Sequence, residues 1–168
     1  MREYITKLLP FEEFVTKRTG DEITICGYGN VFCARDYHND VITRGAFKNT
    51  LARHREKNTM PAMLFEHKNR VCGRWTAAKE DHYGLNLEGV IDNVAKNVDI
   101  VKMVMKGEIN GLSIGFYLIK SHHLNGVRYI KEAELIECSL VKRPANAHSR
   151  FFPTSHEIDY SEAQSVGS

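Results

Sequence analysis

Hydrophobic and polar positions alternate with a period of two over much of this chain, the spacing of strands that bury one face. Glu22 to Ala34 (EITICGYGNVFCA) alternates around Ile23, Ile25 and Val31, and Gly27 and Gly29 inside it predict a bulge or bend. Met63-Leu64-Phe65 reads as a short buried strand that ends at His67. Val71 to Ala78 and Leu85 to Ile91 predict two strands joined across Asp81-His82-Tyr83-Gly84. Gly111 to Lys120 is another, Asn125-Gly126 is the strongest hairpin turn in the chain, and Val127 to Ala133 and Leu135 to Val141 follow as two more. Arg35 to Ile42 reads as a loop.

Two stretches switch to helical spacing. Phe47, Leu51 and His54 predict a helix to about Lys57, with Thr43 as its N-cap and Asn58 to Pro61 ending it. Val94, Val98, Val101 and Met105 predict a second, stopped at Lys106-Gly107. The expected fold is therefore mostly β with two or more helices. Its six or seven strands form a mainly antiparallel, closed or nearly closed barrel surrounded by helices.

Composition narrows the class. With 168 residues, 42% of them hydrophobic, the chain can bury one core without disulfides or a structural metal. Residues 1–150 are expected to form a single domain, and 151–168, poor in apolar residues, a flexible tail. A net charge of +2 gives no electrostatic case for a nucleic-acid partner. No apolar run approaches the roughly 20 residues of a membrane span, and the first residues lack the apolar stretch of a secretion leader. Cys26, Cys33, Cys72 and Cys138 have no C-x-x-C spacing and read as small hydrophobes in a reducing setting. The histidines and cysteines offer no metal-ligand spacing, and no cofactor is expected.

Candidate chemistry gathers at Gly111-Leu112-Ser113-Ile114-Gly115-Phe116, a serine between two glycines in an apolar strand. A serine hydroxyl becomes a nucleophile when a base takes its proton and donors stabilise the oxyanion. Glycines beside it allow a sharp turn and a close approach of a substrate carbonyl. Alternation puts Ser113, Gly115 and Tyr117 on one face and Ile114, Phe116 and Leu118 on the other, although a serine that simply hydrogen-bonds locally fits the same pattern. G-x-S-x-G is also the nucleophile elbow of α/β-hydrolases, but that elbow needs a strand before the serine, a helix after it and the histidine last. Here a helix precedes, a strand follows, and the candidate histidine lies upstream.

The order of these blocks instead resembles the prohead (capsid maturation) serine proteases of tailed bacteriophages, whose fold is related to herpesvirus assemblin. The resemblance runs from about Ile25 to Asn146. It is carried by Gly27-Tyr28-Gly29, by Asp40-Val41-Ile42 before Gly45-Ala46-Phe47, by Phe65-Glu66-His67, by the Ser113 segment, and by Leu135-Ile136-Glu137-Cys138-Ser139-Leu140-Val141 leading into Pro144-Ala145-Asn146. It implies an assemblin-like barrel and a serine endopeptidase with Ser113 as nucleophile and His67 as general base. His67 is the one of eight histidines that sits at a strand end within such a block.

The third member is implied to be acidic. Glu137, alone in an apolar strand, is the candidate, against an outward orientation paired with Lys120 or Lys131 and with Glu134 and His148 as substitutes. Oxyanion donors are expected after the last strand, from Arg143 or a backbone N–H near Asn146. The implied partners are a scaffolding protein, the major capsid protein or its scaffolding segment, and the chain itself as a dimer or higher oligomer, with self-cleavage in the tail. The implied location is inside the immature capsid in the host cytoplasm. The alternative is a non-catalytic capsid-assembly factor with the same fold, and a third reading is a small cytoplasmic esterase.

Overall fold

The computed structural model describes residues 2–8, 15–92 and 95–142. Among these residues the elements follow in the order β1 (Tyr4–Leu8), β2 (Val15–Thr19), β3 (Glu22–Val31), β4 (Asp40–Ile42), α1 (Lys48–Lys57), β5 (Ala62–Phe65), β6 (Val71–Glu80), β7 (Gly84–Ile91), α2 (Val98–Met105), β8 (Gly111–Leu124) and β9 (Val127–Val141). All nine strands belong to one sheet, ordered β1-β8-β9-β5-β6-β7-β3-β2, with β4 also on β9.

The sheet grows from the β8–β9 hairpin. Asn125 and Gly126 take φ values of 51° and 79°, the paired left-handed geometry that a two-residue hairpin turn requires and that these residue types tolerate. The free side of β9 is then covered in three stretches. β4 pairs parallel with Arg128–Ile130, and β5 pairs parallel with Glu137–Leu140. Between them α1 and the loop before it take over: Ala133 N–H donates to Ala46 O, Leu135 N–H to the Thr50 hydroxyl, and His54 Nε2 bonds Leu135 O. These bonds meet backbone groups that a paired strand would otherwise have taken.

The apolar faces enclose a core of Ile23, Ile25, Trp75, Leu85, Leu87, Ile114, Phe116 and Leu140. Phe47, just before α1, packs edge-on against Phe116 and beside Phe32. The sheet curls enough that a Cβ on Gly29 in β3 would meet Ile114 of β8 at 2.9 Å.

Several expectations need correction. Nine strands replace six or seven, for three reasons. β1 turns Lys7 inward where the pattern demanded an apolar residue, β2 carries Lys17 and Arg18 in an exposed edge, and β4 is three residues inside the expected loop. The two final strands are one, β9. The sheet is mainly antiparallel as expected, but β4 and β5 run parallel to β9. Its order is an open path from β1 to β2 among the described residues.

Thr43 is not the cap of α1. Its hydroxyl donates to Ile130 O, and the N-cap position is Phe47. The Glu80 carboxylate of β6 accepts Gly45 N–H and Phe47 N–H instead, at 3.2 and 2.9 Å. The second helix buries Ile100, Val101 and Val104, leaving Val98 and Met105 exposed. It ends as expected at Lys106-Gly107, where Gly107 N–H and Glu108 N–H return to Val104 O and Met103 O. The four cysteines are free, and three of them are buried.

Candidate active site

Four positions face one another across β8 and β9. Ser113 pairs with Ser139 and Gly115 with Glu137, so all four share one face of the sheet. The register depends on a bulge: Phe116 opposes Leu135, but Gly115 opposes Glu137, leaving Ile136 as the extra residue. Thr50 and His54 of α1 hold the backbone of Leu135 at that bulge.

His67 arrives from the neighbouring strand. β5 ends at Phe65, opposite Leu140, and the chain then turns through Glu66 and His67 at φ values of 52° and 58°. Lys68 N–H closes the turn on Phe65 O. Left-handed backbone at two successive side-chain-bearing residues costs of order 1–3 kcal/mol each and persists only where surrounding bonds fix it. Three such bonds are present. Glu66 N–H donates to Leu140 O, His67 N–H donates to Ser139 Oγ at 3.0 Å, and Glu66 Oε1 accepts Lys142 N–H.

The turn aims the imidazole between the other two candidates. His67 Nε2 lies 2.7 Å from Ser113 Oγ, and Nδ1 lies 2.5 Å from Glu137 Oε1. A carboxylate only accepts, so the bond to Glu137 places a proton on Nδ1; in the neutral ring that leaves Nε2 to accept from the serine hydroxyl. Ser113 is 4% exposed and Glu137 2%. Glu137 does not point outward to Lys120 or Lys131; Lys120 instead meets Glu132.

Two further hydroxyls reach Glu137. Ser139 Oγ donates to Oε2 at 2.5 Å, and the Tyr4 hydroxyl donates to Oε1 at 3.1 Å. Burial, together with the Glu137 charge, pushes the Tyr4 phenol above its ordinary range, so it stays protonated as a donor. Burial and the same charge push the Cys138 thiol well up, which keeps it protonated. Gly115 is bare for a local reason. A Cβ there would lie 2.1 Å from the Tyr4 oxygen and 2.4 Å from Glu137 Oε1. The expectation that this glycine serves a turn is corrected: it lies within β8, and its missing side chain makes room for the acid.

A cavity of about 220 Å³ opens beside Ser113, lined by Thr6, Lys7, Leu8, Asp36, Tyr37 and His38. Its floor is an ion network in which Lys7 Nζ sits 2.5 Å from Asp36 and 2.7 Å from Asp40. Arg128 grips Asp40 with two bonds of 2.8 Å.

The structure thus brings together Ser113, His67 and Glu137. Of the substitutes, Glu134 pairs with Arg2 away from the imidazole, and His148 lies outside the described residues, as do Arg143, Asn146 and the tail. Tyr4 and Ser139 were missed. Ser139 was within reach of sequence reasoning, since it shares a strand face with Glu137; Tyr4 was not, because nothing local marks β1 as the neighbour of β8. Among the described residues no cluster of three His, Cys, Asp or Glu is arranged to hold a metal. No described helix is long and apolar enough to cross a membrane.

The fold that holds this serine, imidazole and buried carboxylate in one hydrogen-bonded line has a counterpart among solved structures. The bacteriophage T4 capsid assembly protease superposes with a TM-score of 0.66 over 84% of this chain and 99% of that one, at 8% identity, a likeness of fold alone. The chain also matches the caudovirus prohead serine protease family over residues 12–163, and it belongs to that family. It is 34% identical over 150 residues to the prohead protease of Enterobacteria phage HK97, covering 84% of this chain and 65% of that protein. It therefore spans just under two thirds of the length of that curated relative.

Proposed function

We propose that this chain is a serine endopeptidase of phage head maturation. His67 Nε2 takes the proton from Ser113 Oγ as the oxygen attacks the scissile carbonyl. The imidazolium then protonates the leaving amine, and the neutral imidazole this restores takes a proton from the water that releases the acyl group in the second half-reaction. Glu137 holds Nδ1–H, which keeps the productive tautomer and stabilises the cation while it lasts. The oxyanion falls to donors in the segment after β9, with Arg143 and a backbone N–H near Asn146 as candidates. The observation that carries the reading is the pair of contacts on one imidazole, 2.7 Å to Ser113 Oγ and 2.5 Å to Glu137 Oε1.

Family membership supports substrates of the same setting: a scaffolding protein or the scaffolding segment of the major capsid protein, and a second copy of this chain, within the immature capsid in the host cytoplasm. The curl that brings Gly29 against Ile114 supports an assemblin-like closure of the sheet. A fluorophosphonate probe should label Ser113, and the purified chain should cut its cognate scaffold at defined bonds seen by mass spectrometry. Ser113→Ala should abolish both, a loss of about 10⁶-fold in kcat. Unlabelled Ser113 at every protein concentration, or cleavage that survives Ser113→Ala, would leave a non-catalytic assembly factor as the reading.

A further inference from the structure

One side chain touches both the proposed acid and the proposed base, and the sequence block that contains it assigned it no role. Ser139 is fully buried on β9, directly opposite Ser113. Its hydroxyl is used in both directions, donating to Glu137 Oε2 at 2.5 Å and accepting the backbone N–H of His67 at 3.0 Å. We propose that Ser139 is a positioning residue of this site, a hydroxyl clamp that fixes the Glu137 carboxylate and the His67 backbone relative to each other; the proposal rests on the serine-peptidase reading.

The geometry gives each bond a separate task. A carboxylate at the end of a glutamate side chain turns about its last torsion, which is broad. Its hydrogen bond to Nδ1 is directional only when the second oxygen is also held. Ser139 holds Oε2, while Tyr4 reaches Oε1 from the other strand. The imidazole poses the opposite difficulty, because His67 lies beyond the end of the β5 ladder in left-handed backbone. Its own N–H finds no carbonyl; the Ser139 oxygen accepts it. Moving that oxygen would loosen the acid and the base together. Ser139 is no rival nucleophile, since it is fully buried, whereas Ser113 borders the open cavity.

The test compares Ser139→Ala with the hydroxyl-retaining Ser139→Thr. Removing a hydrogen bond to a charged group is expected to lower kcat by about tenfold to a hundredfold, with KM within about twofold. Ser139→Thr should recover most of that loss. The second readout does not need turnover. In a Ser113→Ala background, the proton shared between His67 Nδ1 and Glu137 should give a far-downfield NMR resonance. That resonance should vanish in Ser139→Ala and return in Ser139→Thr. Full kcat with an unchanged resonance in Ser139→Ala overturns the clamp, and so do equal losses in both variants, which would report packing rather than the hydroxyl. A wild-type chain that cuts nothing and resists the fluorophosphonate refutes the peptidase reading, while the resonance still decides the clamp.

Discussion

The molecule buries two carboxylates about equally well and treats them in opposite ways. Asp40 is 3% exposed and Glu137 2%. Asp40 is met by permanent cations, Lys7 and a bidentate Arg128, which Asp36 and Glu3 engage in turn. Glu137 is met by neutral donors, two hydroxyls and an imidazole N–H. A buried ion pair cancels its own charge and becomes part of the scaffold. A buried carboxylate among neutral groups keeps a negative potential beside the imidazole, and that potential favours a proton arriving there. The second arrangement, open to a cavity through Ser113, is one that can do acid–base work.

The largest expected effect tests that distinction at Glu137. Glu137→Gln keeps the volume but lets an amide N–H face Nδ1, which selects the wrong tautomer. On the proposed mechanism kcat falls by about 10⁴-fold while the melting temperature stays near that of the parent. A variant that retains a tenth of the activity would make Glu137 a bystander.

The matching change at the scaffold should do the reverse. Asp40→Asn leaves Lys7 and Arg128 facing a neutral amide, and stability is expected to drop by about 3 kcal/mol, read from denaturant unfolding. The pH dependence has a definite sign. Burial alone would raise the Asp40 carboxyl, but the bonds from Arg128 and Lys7 outweigh it and hold it below the usual carboxylate range. A lowered folded value means that the contribution is complete above about pH 4, the ordinary range for an aspartate, and is lost as pH falls through the folded value. Thermal melts between about pH 2 and 7 should therefore show an acid limb that shrinks in Asp40→Asn. An unchanged acid limb would assign it to other carboxylates.

How far this arrangement is legible in the residues depends on the kind of order involved. Local order reads well: the Asn125-Gly126 turn, the end of α2 at Gly107, the bulge near Gly29 and the short strand before His67 all follow from nearby residues. Register does not. Counting an unbroken hairpin outward from Asn125-Gly126 pairs Ile114 with Glu137, which would send the acid to the face opposite Ser113. The extra residue at Ile136 restores it, and what holds that bulge is α1, more than 75 positions away along the chain. β1 is hidden for a similar reason. Lys7 looks like a surface residue until Asp36 and Asp40 are beside it.

Gly115 sharpens the comparison from the side of space rather than charge. A methyl group there would overlap the Tyr4 hydroxyl and Glu137 Oε1, so Gly115→Ala must push the phenol, the carboxylate or β1 aside. A displacement approaching 1 Å at an orienting group is expected to cost about 10²-fold in kcat/KM. Fluorophosphonate labelling of Ser113 should slow in parallel, with far-ultraviolet circular dichroism unchanged. Undiminished labelling would show that Glu137 tolerates the shift and that its placement is not critical.

The smallest effect is expected at Tyr4, and it is the most discriminating. Tyr4→Phe removes one donor to Oε1 at 3.1 Å but keeps the ring, which packs edge-on against Tyr117 with centroids 5.0 Å apart. Tyr4 is 43% exposed, so water can replace the lost hydroxyl, whereas nothing can reach the fully buried Ser139. The expected loss is about fivefold in kcat/KM, with a melting temperature changed by no more than a few degrees. If Tyr4→Phe instead lowered stability and spared turnover, Glu137 would behave as Asp40 does, as a charge whose partners serve the fold, and the contrast between the two carboxylates would fail.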